Sequence, residues 1–207
     1  MSATADFKFE TNGTVEVSFA GLGVFTGAYV VKDGYQVTFF DFEGIAAYSY
    51  AVIDNNTISV TEGEFDGVGG FTAENTTSFK RKASSQIIKQ DIAADLSKPS
   101  NADNNLTGAW QALLPPETED DGYSKTIQVF LPNGDYQYLS VDPYMSMQFQ
   151  YSTINDVFFI FLPPYGAEAF QYATKTDGNI TVTPIIGVNE NGRILDASKA
   201  TDFTKIW

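Results

Sequence analysis

The chain has 207 residues, 43% hydrophobic and 14% aromatic, which is enough apolar mass for a packed core and too much for wholesale disorder. It contains no His and no Cys, so His-based triads, cysteine nucleophiles, the usual zinc sites, iron–sulfur clusters and disulfides are excluded. A formal charge of −14, from 12 Lys+Arg against 26 Asp+Glu, repels phosphate backbones and argues against nucleic acid as a partner.

In chain order, the first segments read as antiparallel β. Phe7, Phe9, Val15, Val17 and Phe19 alternate with polar residues, and Asn12-Gly13 sits between the two runs. Asn-Gly predicts a type I′ hairpin, in which both central residues need positive φ. Asp33-Gly34 plays the same part between residues 28–31 and 35–40, and Asp54-Asn55-Asn56 separates residues 48–53 from 57–61. From Ser84 the pattern changes. Ile88, Ile92 and Leu96 recur every four residues, the helical spacing. Ser84 or Ser85 would cap this helix and Pro99 would end it. It reads as a lid or packing helix, followed by a polar linker over residues 97–105. Strand-like segments then resume, with turns at Asn133-Gly134, Asn155-Asp156 and Asp177-Gly178.

The two β regions repeat one another. Phe9 to Gly13 matches Phe130 to Gly134 at an offset of 121 residues. Tyr29 matches Tyr151, Phe39 matches Phe161, Tyr50 matches Tyr172 and Ile58 to Thr61 matches Ile180 to Thr183, all at an offset of 122. Phe79 matches Phe203 at 124. The expected organisation is a β domain over residues 1–82 that lacks its first strand, a helix and linker over 83–105, and a second β domain over 106–207. Each would be an up-and-down meander that curls into a barrel or half-barrel to remove its edges. The apolar runs, such as Val157–Leu162, are too short for a transmembrane helix, and no signal peptide is visible.

The second copy opens with Gly108-Ala109-Trp110. With the hairpin at 130–134, Tyr151 and the closing Phe203-Thr204-Lys205, this order resembles the lipocalin-like (calycin) families, especially short bacterial lipocalin-like domains. The first copy supplies Gly27-Ala28-Tyr29 and Phe79-Lys80-Arg81, but no Gly-x-Trp strand. The resemblance implies an all-β chain of two tandem lipocalin-like barrels. It further implies that Trp110 closes a barrel floor under Lys205, the counterpart of Arg81 in the first copy.

The remaining chemistry is sparse. The sequence has no phosphate-binding glycine loop, no dinucleotide fingerprint and no Gly-x-Ser-x-Gly elbow. Glu117, Glu119 and Asp121 are spaced like the start of a calcium loop, but the twelfth place holds Gln128, so a solvated hairpin loop is the better reading. The expectation is therefore a non-catalytic protein with no cofactor and no metal. Its binding site for a small apolar molecule would lie in the second barrel, lined by Tyr151, Phe159, Phe161, Phe170 and Tyr172. The alternative is a structural or adhesive tandem β domain with filled cores that contacts protein or glycan, and an enzyme using carboxylates comes third. Strands rich in Asn, Thr and Tyr favour a compartment outside the cytoplasm, while the lack of cysteine suits either side.

Overall fold

A computed structural model describes residues 5–19, 22–32, 34–66, 68, 70–81, 105–114, 124–141, 144–162 and 166–207. The fold is all-β. The helix and linker expected over 83–105 and the acidic run at 117–121 lie outside or almost wholly outside these residues. No described helix is long and apolar enough to cross a membrane.

The first copy is one antiparallel meander of seven strands: β1 Ala5–Phe9, β2 Thr14–Phe19, β3 Gly23–Lys32, β4 Tyr35–Phe40, β5 Gly44–Asp54, β6 Thr57–Phe65 and β7 Phe71–Lys80. It curls into a half-barrel, and among the described residues no pairing joins β7 to β1. The second copy runs β8 Gly108–Leu114, β9 Ser124–Phe130, β10 Asp135–Val141, β11 Tyr144–Ile154, β12 Val157–Leu162, β13 Gly166–Thr174, β14 Ile180–Asn189, β15 Gly192–Leu195 and β16 Thr201–Lys205. Here β13 pairs with β14, and β8 bridges β9 and β16. Eight strands therefore close into a barrel, with β15 attached to β14. Among the described residues the first copy has no counterpart of β8, the strand that carries Gly-x-Trp and closes the barrel, nor of β15.

The repeat holds at atomic detail. Tyr29 Oη donates to the Glu10 carbonyl at 2.8 Å, and Tyr151 Oη donates to the Leu131 carbonyl at 2.9 Å. Phe9 meets Tyr29 edge-on at 5.2 Å, and Phe130 meets Tyr151 edge-on at 5.1 Å. Ile58 pairs with Phe79 as Ile180 pairs with Phe203. Each tyrosine ties its strand to the turn that opens the neighbouring strand, so a one-residue slip in either copy would lose the contact.

The turns differ from the type I′ expectation. Gly13 N donates to the Glu10 carbonyl at 3.1 Å, and only the glycine adopts positive φ, at 84°. Gly134 repeats this with a 3.0 Å bond to Leu131 and φ 86°. These are type I turns followed by a glycine bulge. The asparagine serves another purpose: Asn12 Oδ1 accepts from Thr14 N at 3.0 Å, and Asn133 Oδ1 accepts from Asp135 N at 3.2 Å.

The copies pack against each other through equivalent faces. One apolar cluster contains Val37, Phe39, Phe159, Phe161 and Ala169, with Tyr35 and Ala47 packed on it and Val157 inside it. At the repeat offset, Tyr35 corresponds to Val157, Val37 to Phe159, Phe39 to Phe161 and Ala47 to Ala169. Likewise β3 lies against its counterpart β11, and β5 against β13. A surface patch packed on its own counterpart is the arrangement of a two-fold dimer, here within one chain. Arg193 on β15 straps the junction. Its guanidinium bonds Asp41 of the first copy at 2.8 Å and Asp156 of the second at 2.7 Å. Burial works against this charge, but the bonds to the two carboxylates outweigh it and raise the pKa.

Candidate functional site

The barrel interior is built from alternate residues of its strands. Leu106, Trp110, Phe130, Tyr136, Tyr151, Phe158, Ile160, Tyr172, Ile180 and Phe203 form one buried cluster. The rings touch: Phe130 lies 5.0 Å from Tyr136 and 5.1 Å from both Tyr151 and Phe158. Burial holds the Tyr136 phenol far above its usual pKa, so it stays neutral.

Trp110 plugs the interior at the end where β8 meets β16. It is 1% exposed, its indole N–H donates to the Leu106 carbonyl at 2.7 Å, and the Lys205 ammonium sits 5.1 Å from its ring centre. Gly108 makes this approach feasible. With φ at 136°, a Cβ there would strike the Trp207 carbonyl oxygen. The same end is laced by Ala109 N to the Trp207 carbonyl at 2.9 Å and Ile206 N to the Ala109 carbonyl at 2.8 Å. Arg81, the counterpart in the first copy, donates its amide to the Asn56 carbonyl at 2.6 Å.

The five residues expected to line a cavity are divided between two cores. Tyr151 and Tyr172 lie in the barrel cluster, and Phe170 packs against it. Phe159 and Phe161 point the other way, into the junction between the copies, where Phe159 stands 6.3 Å from Phe39 and Phe161 stands 5.9 Å from Phe65. The pleat dictates this division. Tyr151 pairs with Ile160, so Ile160 and Phe158 share its face and Phe159 and Phe161 cannot. Phe158, Phe130 and Tyr136 also fill the interior. The signal for Phe158 was the unbroken run Val157–Leu162, since a strand buried on both faces loses the alternation of a one-sided strand.

The first copy has a different interior. Tyr29, Val15, Val17, Val31 and Phe40 cluster on its concave face, with Tyr29 placed as Tyr151 is in the barrel. Beside them the face turns polar. Gln36, Tyr48, Glu62 and Asn75 stand in register across β4, β5, β6 and β7. Gln36 is 8% exposed and donates to Thr38 Oγ1 at 2.9 Å. Tyr48 is half-buried, while Glu62 and Asn75 are exposed. Burial first, and then Glu62 and Glu43, push the Tyr48 phenol up to about 12, so its proton is held at neutral pH.

Two open clefts lie outside the barrel. One, of about 400 Å³, sits between the copies and is lined by residues that include Lys32, Tyr50, Asp135 and Gln150. The other, of about 630 Å³, runs along Gln111, Leu113, Thr181 and Asp202. Among the described residues no three acidic side chains gather as a metal site. No protein-family model matches the chain, and no curated protein matches it.

Proposed function

We propose that the chain is a non-catalytic, lipocalin-like β protein whose barrel is a filled scaffold and whose binding surface lies outside that barrel. The observation that carries this reading is the ring packing around Phe130, with three aromatic neighbours at 5.0–5.1 Å where a ligand-holding barrel would keep an open space. The closed eight-strand barrel, the Gly108-Ala109-Trp110 entry and the ammonium over the indole support the lipocalin-like assignment. The absence of His and Cys from the whole sequence supports a non-catalytic role.

The test is titration of the folded chain with the apolar fluorophore 1-anilinonaphthalene-8-sulfonate, paired with thermal melts. The expected result is no saturable binding to the native state and no rise in melting temperature. A ligand that occupied the barrel would stabilise the native state by RT ln(1 + [L]/Kd). Saturable one-to-one binding, displaced by a fatty acid and accompanied by stabilisation, would overturn the filled-scaffold reading in favour of an apolar-ligand barrel.

A further inference from the structure

The internal repeat acts as a control for which residues the fold itself requires. Positions that keep their chemistry in both copies, such as Tyr29 and Tyr151 or Phe9 and Phe130, make the same structural contacts in each. Positions that change from apolar in one copy to polar in the other are free to answer to something else. On the concave face, Phe158 of the barrel corresponds to Gln36, Ile160 to Thr38, Phe170 to Tyr48 and Pro184 to Glu62. Four polar substitutions thus fall on one face of one copy, and three of them form a single cross-strand row with Asn75.

We infer that the concave face of the first copy binds a neutral oligosaccharide along the row Gln36, Tyr48, Glu62 and Asn75. The inference rests on the surface-binding reading above and supplies its ligand class. Neighbouring strands stand about 4.8 Å apart, so Tyr48, Glu62 and Asn75 offer accessible hydrogen-bonding groups over about 10 Å, with Gln36 buried at the inner end of the row and bonded to Thr38. A linear chain of sugar rings repeats on a comparable length. The row mixes amide donors and acceptors, a protonated phenol and a carboxylate acceptor, which is the mixture that vicinal hydroxyls can satisfy. The aromatic ring of Tyr48 in its centre offers an apolar face as well. Among the described residues no hydrogen bond reaches the Tyr48 hydroxyl, which leaves it available.

Charge selects against the other polar occupants. Glu62 and Glu43 act on Tyr48, and the chain carries −14 overall, so sulfated and uronic acid chains are repelled. A basic peptide would be attracted by the charge, but the row itself holds one carboxylate among four residues and gives a polycation little to pair with.

The experiment is calorimetric titration of the full chain with cellotetraose, chitotetraose, xylotetraose and maltotetraose, with heparin and polylysine for contrast. At least one neutral tetrasaccharide should bind, with an affinity unchanged by added salt. Asn75→Ala and Tyr48→Phe should each weaken it by about tenfold, the scale of one lost hydrogen bond. Asn75 is exposed, so Asn75→Ala should leave the melting curve unchanged and keep the result independent of folding. The inference is overturned if no tetrasaccharide binds, if binding ignores both substitutions, or if only polylysine binds and salt abolishes it. The filled-scaffold reading survives any of these outcomes, since it fails only on saturable binding of the apolar fluorophore.

Discussion

Phe159→Ala probes the junction between the copies. Phe159 is fully buried, and its ring lies 6.3 Å from Phe39 among Val37, Phe161 and Ala169. Truncation removes the transfer free energy of the ring and leaves a void between two sheets that are each held by their own hydrogen-bond ladders. The walls cannot collapse far, so the expected loss is about 3–5 kcal/mol. At about 2–4 °C per kcal/mol for a chain of this size, the melting temperature should fall by roughly 6–20 °C. Urea denaturation followed by tryptophan fluorescence reports the barrel through Trp110, and near-ultraviolet circular dichroism reports the tyrosines of both copies. The two probes should shift together if the junction makes one cooperative unit. Phe39→Ala should couple with Phe159→Ala by about 0.5–3 kcal/mol in a double-mutant cycle. A loss under about 1 kcal/mol, or strict additivity of the two changes, would refute the back-to-back packing.

Gly108→Ala should destabilise by at least about 1–3 kcal/mol, because the new Cβ meets the Trp207 carbonyl and the φ of 136° is strained for an L residue, as a urea titration would measure. Arg193→Met should cost about 1.5–3 kcal/mol through loss of its charged bonds to Asp41 and Asp156, with the deficit narrowing at high salt in thermal melts. Ser152→Ala should be neutral or stabilising in urea titrations, since among the described residues the buried Ser152 hydroxyl has no hydrogen-bond partner and its counterpart in the first copy is Val30. Tyr48 keeps its proton to about 12 in the folded state against 10.0 for the free side chain, so the stability tied to it is complete below pH 10.0 and is lost as pH rises towards 12. Melts across that range should show a smaller alkaline loss for Tyr48→Phe.

The order of the strands was legible because local chemistry sets it. Alternation marks a strand, Asn-Gly and Asp-Gly mark the turns, and the 122-residue offset aligns Tyr29 with Tyr151 and Tyr50 with Tyr172 in two modules of one design. The place of Trp110 was legible only through the resemblance to lipocalin-like domains, which implied a tryptophan under a basic residue of the last strand, and Lys205 does sit over its ring. What each strand face touches was not legible from spacing. Phe159 and Phe161 share a face, as alternation requires, but that face belongs to the junction and not to the barrel. Only the register of Tyr151 on Ile160 decides the matter, and register comes from pairing between distant segments. The polar row on the first copy was hidden for the same reason. Gln36, Tyr48, Glu62 and Asn75 are spread over 40 residues of chain and become neighbours only when four strands align. Local sequence determined the elements and their turns; burial against a second sheet, a long-range choice, determined which side chains became core and which became surface.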